Sequence, residues 1–195
     1  MAANPNDQPR HFYTLEEYFA LERTGDARYE YWDGEIVCMS GGSEQHGRIG
    51  GNVYFSVRRQ LAGRNCEAFT SDLPISTPSL PPYRYPDASV ACGKADFVKI
   101  DGIGVLTNPT LIVEILSTHT EARDRNQKRL ACQAIPSLME YLLIAQDYPH
   151  VTHYIREADH SWSRSDAGEL TARIELPSIE GVLLLSEAYA GVEFE

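Results

Sequence analysis

The apolar positions follow two different periods along the chain. Ile49, Val53, Val57 and Leu61 recur every four residues and mark one face of a long helix. Ser43 stands where an N-cap belongs, and Ala62-Gly63 closes the helix. A shorter helix opens at Thr14-Leu15-Glu16-Glu17, a capping box, with Leu15, Tyr18 and Phe19 inward. It runs to about Arg23 and stops at Thr24-Gly25-Asp26. Residues 29–39 are aromatic and β-branched around Asp33-Gly34, the pattern of a hairpin.

Strand patterns dominate the middle. Residues 66–76, 85–92 and 110–116 read as strands, the second carrying Pro86-Asp87 near its start. A Pro-rich loop separates the first two, and the polar, Gly-containing stretch 93–108 reads as a surface loop. Thr118-His119-Thr120-Glu121 forms a second capping box, opening a helix to about Ala134 that Pro136 bars from continuing. Residues 140–145 and 151–156 read as further strands. Trp162 and residues 170–176 flank an Asp166-Ala167-Gly168 turn and predict another hairpin, and 182–190 is an apolar patch ending in a short helix. The predicted class is α/β: one mixed sheet flanked by helices, with an added N-terminal helix and hairpin and a C-terminal hairpin. Residues 1–12 read as a flexible tail and 13–195 as a single domain.

Composition narrows this picture. At 195 residues the chain buries about 70% of its surface on folding, enough for a core. A hydrophobic share of 43% excludes wholesale disorder. The N-terminus lacks the apolar core of a signal peptide, and no apolar run approaches the ~20 residues of a membrane span, so a cytoplasmic protein with no membrane partner is expected. Cys38, Cys66, Cys92 and Cys132 contain no CxxC pair and read as small buried apolar residues in a reducing cytosol. His150 and His153 form a close pair with no third metal ligand nearby.

Two carboxylates stand out. Glu114 sits inside the apolar run TLIVEIL, where burial is costly unless the group is paired or metal-bound. Asp87 follows Pro86 at a strand entry. If their strands are neighbours, both carboxylates converge on one point, and two such oxygen ligands plus waters suit Mg²⁺, with Mn²⁺ as a substitute. A cation is the missing third part. Leu116 occupies the position two residues after Glu114, so a strand lysine is excluded. Lys128 on the next helix is the candidate. A strand rises ~3.3 Å per residue and a helix ~1.5 Å, which brings residue 128 back level with Glu114. A solvated lysine paired with Asp124 is the plainer alternative.

The order RYEYWDGEI, SEQH, YRYPDASV, NPTLIVEIL, RDRNQK and IPSLMEYLLI resembles one bacterial restriction-endonuclease family, long known only as a domain of unknown function, within the PD-(D/E)xK nuclease superfamily. The resemblance covers about residues 13–189. It implies a restriction-endonuclease-like core and a Mg²⁺-dependent endonuclease acting on nucleic acid, DNA above all. It matches Asp87 and Glu114 to the acidic metal ligands, with the Ile115 carbonyl beside them, and Lys128 to a lysine moved from strand to helix. Glu30 matches a further acidic residue and His46 a histidine opening the long helix. Cys132 departs from the aromatic residue that relatives often carry. A homodimer, built on an edge strand or the C-terminal hairpin, is also implied. The competing expectation is a nuclease fold with weak or lost catalysis, acting as an oligomeric or nucleic-acid-binding module. No Gly-x-Ser-x-Gly or P-loop pattern supports other hydrolases.

The net charge of −11 argues against a basic nucleic-acid binder. Its distribution changes that reading. Residues 47–66 hold four arginines and no acid, and residues 121–129 four cations against two acids, whereas 157–195 hold nine acids against two arginines. The basic segments fall on the two helices that flank the proposed site.

Overall fold

The computed structural model describes residues 11–25, 27–39, 42–117 and 121–194. The chain forms two compact units, Met1–Gly41 and Gly42–Glu195. In the first, α1 (Leu15–Thr24) begins at the expected capping box: Thr14 Oγ1 accepts from the Glu17 N–H, and Glu17 accepts from the Thr14 N–H at 2.7 Å. Gly25 closes it in the left-handed region, φ 72°. The hairpin β1 (Tyr29–Trp32) and β2 (Glu35–Cys38) turns through Asp33 and Gly34, both at positive φ.

The second unit begins with α2 (Glu44–Gln60), capped by Ser43 and burying Ile49, Val53 and Val57. There follow β3 (Cys66–Thr70), β4 (Ile75–Ser76), β5 (Tyr83–Arg84), β6 (Ala88–Cys92), β7 (Phe97–Ile100), β8 (Ile103–Leu106) and β9 (Leu111–Leu116). A helical crossover comes next: α3 (Glu121–Arg123), a π turn (Asp124–Lys128) and α4 (Arg129–Gln133). The chain ends with β10 (Glu140–Ala145), β11 (Val151–Arg156), β12 (Trp162–Ala167), β13 (Arg173–Leu176), a 3-10 turn (Pro177–Ile179), β14 (Gly181–Leu184) and α5 (Leu185–Ala188).

The central sheet has the order β12-β11-β10-β9-β6-β3. Only the β9–β10 pair is parallel, because the helical crossover joins those two strands. Both strands are buried along their full length, since each face of the sheet is covered. One core packs α2, β13, β14 and α5 on one face. The other packs α4 and the small sheet β5-β4-β8-β7 on the opposite face.

Several expectations are corrected. Residues 66–76 form two strands in different sheets, broken by a turn in which the Leu73 N–H donates to the Thr70 carbonyl. The expected strand over 85–92 begins only at Ala88. The expected loop 93–108 is largely the hairpin β7–β8, turning at Asp101-Gly102. Trp162 does not pair with residues 170–176: β12 pairs with β11, and β13 pairs with β14. Cys66 and Cys92 face each other across β3 and β6 and form a disulfide; Cys38 and Cys132 are free. The second capping box falls mostly on residues 118–120, outside the described residues. No helix among the described residues is long and apolar enough to cross a membrane.

Candidate active site

The antiparallel pairing of β6 with β9 sets Ala88 opposite Val113. Asp87 immediately precedes β6, and one further step of the same register would set it beside Glu114. The Ile115 N–H donates to Asp87 Oδ2 at 2.6 Å, fixing the carboxylate at the end of the ladder. In an antiparallel ladder one residue directs its N–H and C=O to the same neighbour, so the Ile115 carbonyl projects toward the edge where Asp87 stands.

Glu114 is 2% exposed. Lys128 Nζ donates to Glu114 Oε2 at 2.9 Å and to the Tyr85 carbonyl at 2.8 Å. Lys128 is itself 2% exposed, so it is no solvated helix lysine. The π turn carries it inward, together with the buried Asp124 four residues earlier. A π turn closes i→i+5 bonds and is frequent at functional sites. No pattern in the sequence distinguishes it from the continuous helix expected there.

His46 lies in the first turn of α2, and its Nε2 is 3.4 Å from Asp87 Oδ1. The hydrogen bond to Asp87 raises its pKa above the ordinary 6.5. Burial opposes this, while the charges of Asp87 and Asp124 and the Ile115 backbone add to it. Asp124 thus belongs to the electrostatics of the site, which the sequence reading missed. Its burial in a polar run, RDRNQK, is visible only once the π turn is known. A Cβ at Gly42 would stand 3.2 Å from His46 Nδ1, and one at Gly50 would stand 3.3 Å from Ile115 Cδ1. Glycines at these positions let the start of α2 lie close against the site.

The structure therefore brings Asp87, Glu114, Ile115, Lys128 and His46 together. Glu30 belongs to the N-terminal unit, where it is buried and accepts from Trp32 Nε1–H at 3.2 Å. His150 and His153 make no joint site: His150 bonds Asp166 and Thr152, whereas His153 Nε2 meets Glu140 at 2.6 Å. Among the described residues no cluster of three or more His, Cys, Asp or Glu side chains is placed to hold a metal. An ion here would rest on two carboxylates, a backbone carbonyl and water, a hard-oxygen donor set of the kind Mg²⁺ takes.

The basic segments also resolve. On α2, Arg48 pairs with Glu44 at 2.7 Å and Arg59 with Glu187; just past the helix, Arg64 donates to the Glu180 carbonyl at 2.8 Å. Most of that helix's positive charge is thus already engaged.

Comparison with known proteins agrees with this architecture. Two uncharacterized proteins of Synechocystis are similar over most of their length. One, sll1609, is 34% identical over 162 residues, 83% of this chain and 91% of its own. The other, slr1290, is 34% identical over 179 residues, 92% of each. The crystal structure of a putative nuclease belonging to DUF820 from Anabaena variabilis superposes with a TM-score of 0.69 at 19% identity, covering 86% of this chain and 93% of that one. That likeness shows the shared fold, the nuclease-like mixed α/β sheet expected from the sequence. The sequence matches the Uma2 profile over residues 15–186, and the chain belongs to this family of putative restriction endonucleases.

Proposed function

We propose that the protein is a divalent-metal-dependent endonuclease that hydrolyses phosphodiester bonds, with DNA as substrate and Mg²⁺ as its ion. The observation that carries this reading is that Asp87 is held by the N–H of Ile115, the residue next to Glu114, while Lys128 bonds Glu114 from the crossover helix. The family and the shared fold support it.

In this reading Asp87, Glu114 and the Ile115 carbonyl hold the ion. The bound ion supplies a water of lowered pKa and charge neutralisation at the scissile phosphate. The protein's own groups do the rest. The Ile115 N–H fixes Asp87 by binding Oδ2, which leaves Oδ1 on the side of His46. Lys128 fixes the Glu114 carboxylate and places one positive charge next to the developing negative charge on phosphate. His46, its pKa raised chiefly by the hydrogen bond to Asp87, is the titratable group on the Asp87 side and in its protonated form holds a proton at Nε2 for the leaving oxygen.

The test is cleavage of supercoiled plasmid and of a single-stranded oligonucleotide with Mg²⁺ or Mn²⁺. Cleavage is expected to need the ion and to fall by at least two orders of magnitude in Asp87→Ala. Activity that persists in excess EDTA, or is unchanged in Asp87→Ala, overturns the assignment.

A further inference from the structure

One face of the two outermost strands is built differently from the rest of this acidic surface. The register Tyr154↔Arg164 and Arg156↔Trp162 puts two arginines and two aromatic rings on the same side of β11 and β12. The crossover helix adds two more arginines along their border. The Arg129 guanidinium lies over the Tyr154 ring, 5.0 Å from its centroid, and that of Arg156 over Trp162 at 4.9 Å. Arg125 reaches Thr152 Oγ1 at 3.4 Å.

The charge of this face is only partly cancelled. Arg125 pairs with Glu121 and Arg164 with Asp166. Arg129 donates to the Arg125 carbonyl and to Gln133 Oε1, and Arg156 to the Gln133 and Ile135 carbonyls. Neither Arg129 nor Arg156 meets a carboxylate among the described residues. Two guanidinium charges are therefore held in place by neutral oxygens and ring faces, ready for an anion. A planar guanidinium so oriented suits phosphate, and stacking on an aromatic ring limits the entropy lost on binding.

The strands of this face belong to the same sheet as Glu114. Glu114 pairs with Leu143, Leu143 with Thr152, and Thr152 with Asp166, so the four lie in one row across the sheet. Strands lie ~4.8 Å apart and residues ~3.3 Å apart along each, which puts the backbone of Tyr154 roughly 12 Å and that of Arg156 roughly 16 Å from Glu114. The crossover helix divides its cations between the two places: Lys128 goes to Glu114, and Arg125 and Arg129 go to the outer face.

We propose that the arginine–aromatic face of β11, β12 and the crossover helix binds the phosphate backbone of nucleic acid, a few nucleotides from the bond cut at the Asp87–Glu114 site. The position relative to the cut rests on the nuclease reading; the binding does not. Asp166 is the counterweight, since it holds Arg164 through two guanidinium nitrogens, Nε and Nη2, each at 2.9 Å, and keeps that charge from phosphate.

The experiment is anisotropy of a fluorescent oligonucleotide, single- and double-stranded, with the full chain in EDTA over a series of salt concentrations. Arg129→Gln is expected to weaken binding on the order of tenfold near 50 mM salt. It should also lower the slope of log K against log salt by about one. Asp166→Asn is expected to act in the opposite sense, tightening binding and steepening the slope, which loss of structure cannot do. Thermal melting checks the fold of both, and should Arg129→Gln unfold, Asp166→Asn decides alone. Unchanged affinity and slope in the folded variants overturn the proposal, as does a wild-type chain that binds neither oligonucleotide. Binding with these shifts but no cleavage under any metal keeps this proposal and removes the nuclease reading. Cleavage with no shifts does the reverse.

Discussion

Lys128 Nζ stands 2.9 Å from Glu114 Oε2 although fourteen residues separate them, and both side chains are sealed from solvent. A buried ion pair adds little net stability over an apolar pair of the same volume, but half of one is costly. Lys128→Met is therefore expected to destabilise the protein by about 3–5 kcal/mol, read as a lower denaturant midpoint at unchanged m. Adding Glu114→Gln should recover most of that loss without recovering cleavage. A single-variant cost under about 1 kcal/mol, the range of surface pairs, contradicts this account.

His46 gives a pH prediction. Its pKa is raised above 6.5 in the folded protein, chiefly by the hydrogen bond to Asp87. The folded state then holds the proton more tightly than the unfolded chain. The stabilisation is whole below about pH 6.5 and is lost as pH rises through the folded value. Melting temperature should fall between pH 6.5 and 8.5 more in the wild type than in His46→Gln. Imidazole NMR of Asp87→Asn should show the His46 titration moving back toward its ordinary value; a midpoint that does not move refutes the role given to Asp87.

The parts legible in the sequence are those set by local chemistry. Thr14 and Ser43 cap their helices as read, and Asp33-Gly34 turns its hairpin. The same Asp-Gly signal at 101–102 stands between FVKI and IGVL and turns β7–β8, although the ends of the stretch 93–108 are polar and glycine-containing and suggest a loop. The site was legible where arithmetic suffices. Strand and helix rises bring residue 128 back to 114, and a carboxylate in an apolar strand needs a partner. Features that depend on register across distant strands were not. Nothing local in Cys66 or Cys92 says that they oppose each other on β3 and β6. The π turn that buries Asp124 and Lys128 together is set by packing on the sheet, and its residues read as ordinary helix.

A second buried pair separates stability from chemistry. Glu140 is fully buried, meets His153 Nε2 at 2.6 Å, and accepts the Ser178 N–H at 2.6 Å. It pairs with Leu111 at the opposite end of β9 from Ile115. Glu140→Leu strands a buried imidazole and a buried N–H, and is expected to cost about 3–5 kcal/mol. Cleavage per folded molecule at low temperature should match the wild type. A matching drop in rate with no loss of stability reverses the assignment of Glu140 as structural.

Adjacent glycines of α2 should respond with opposite sign. A Cβ at Gly51 meets nothing within 4 Å, so Gly51→Ala is expected to stabilise by roughly 1 kcal/mol through helix propensity alone. A Cβ at Gly50 already presses on Ile115 Cδ1 at 3.3 Å, and the γ carbons of valine would reach further into that contact. Gly50→Val is expected to cost about 1–3 kcal/mol by overpacking. It should also displace Ile115, whose N–H fixes Asp87, so cleavage falls by more than the folded fraction does. Melting curves and rates measured together decide it: a Gly50→Val protein that is both stable and fully active shows that the close approach of α2 to β9 does not hold the site.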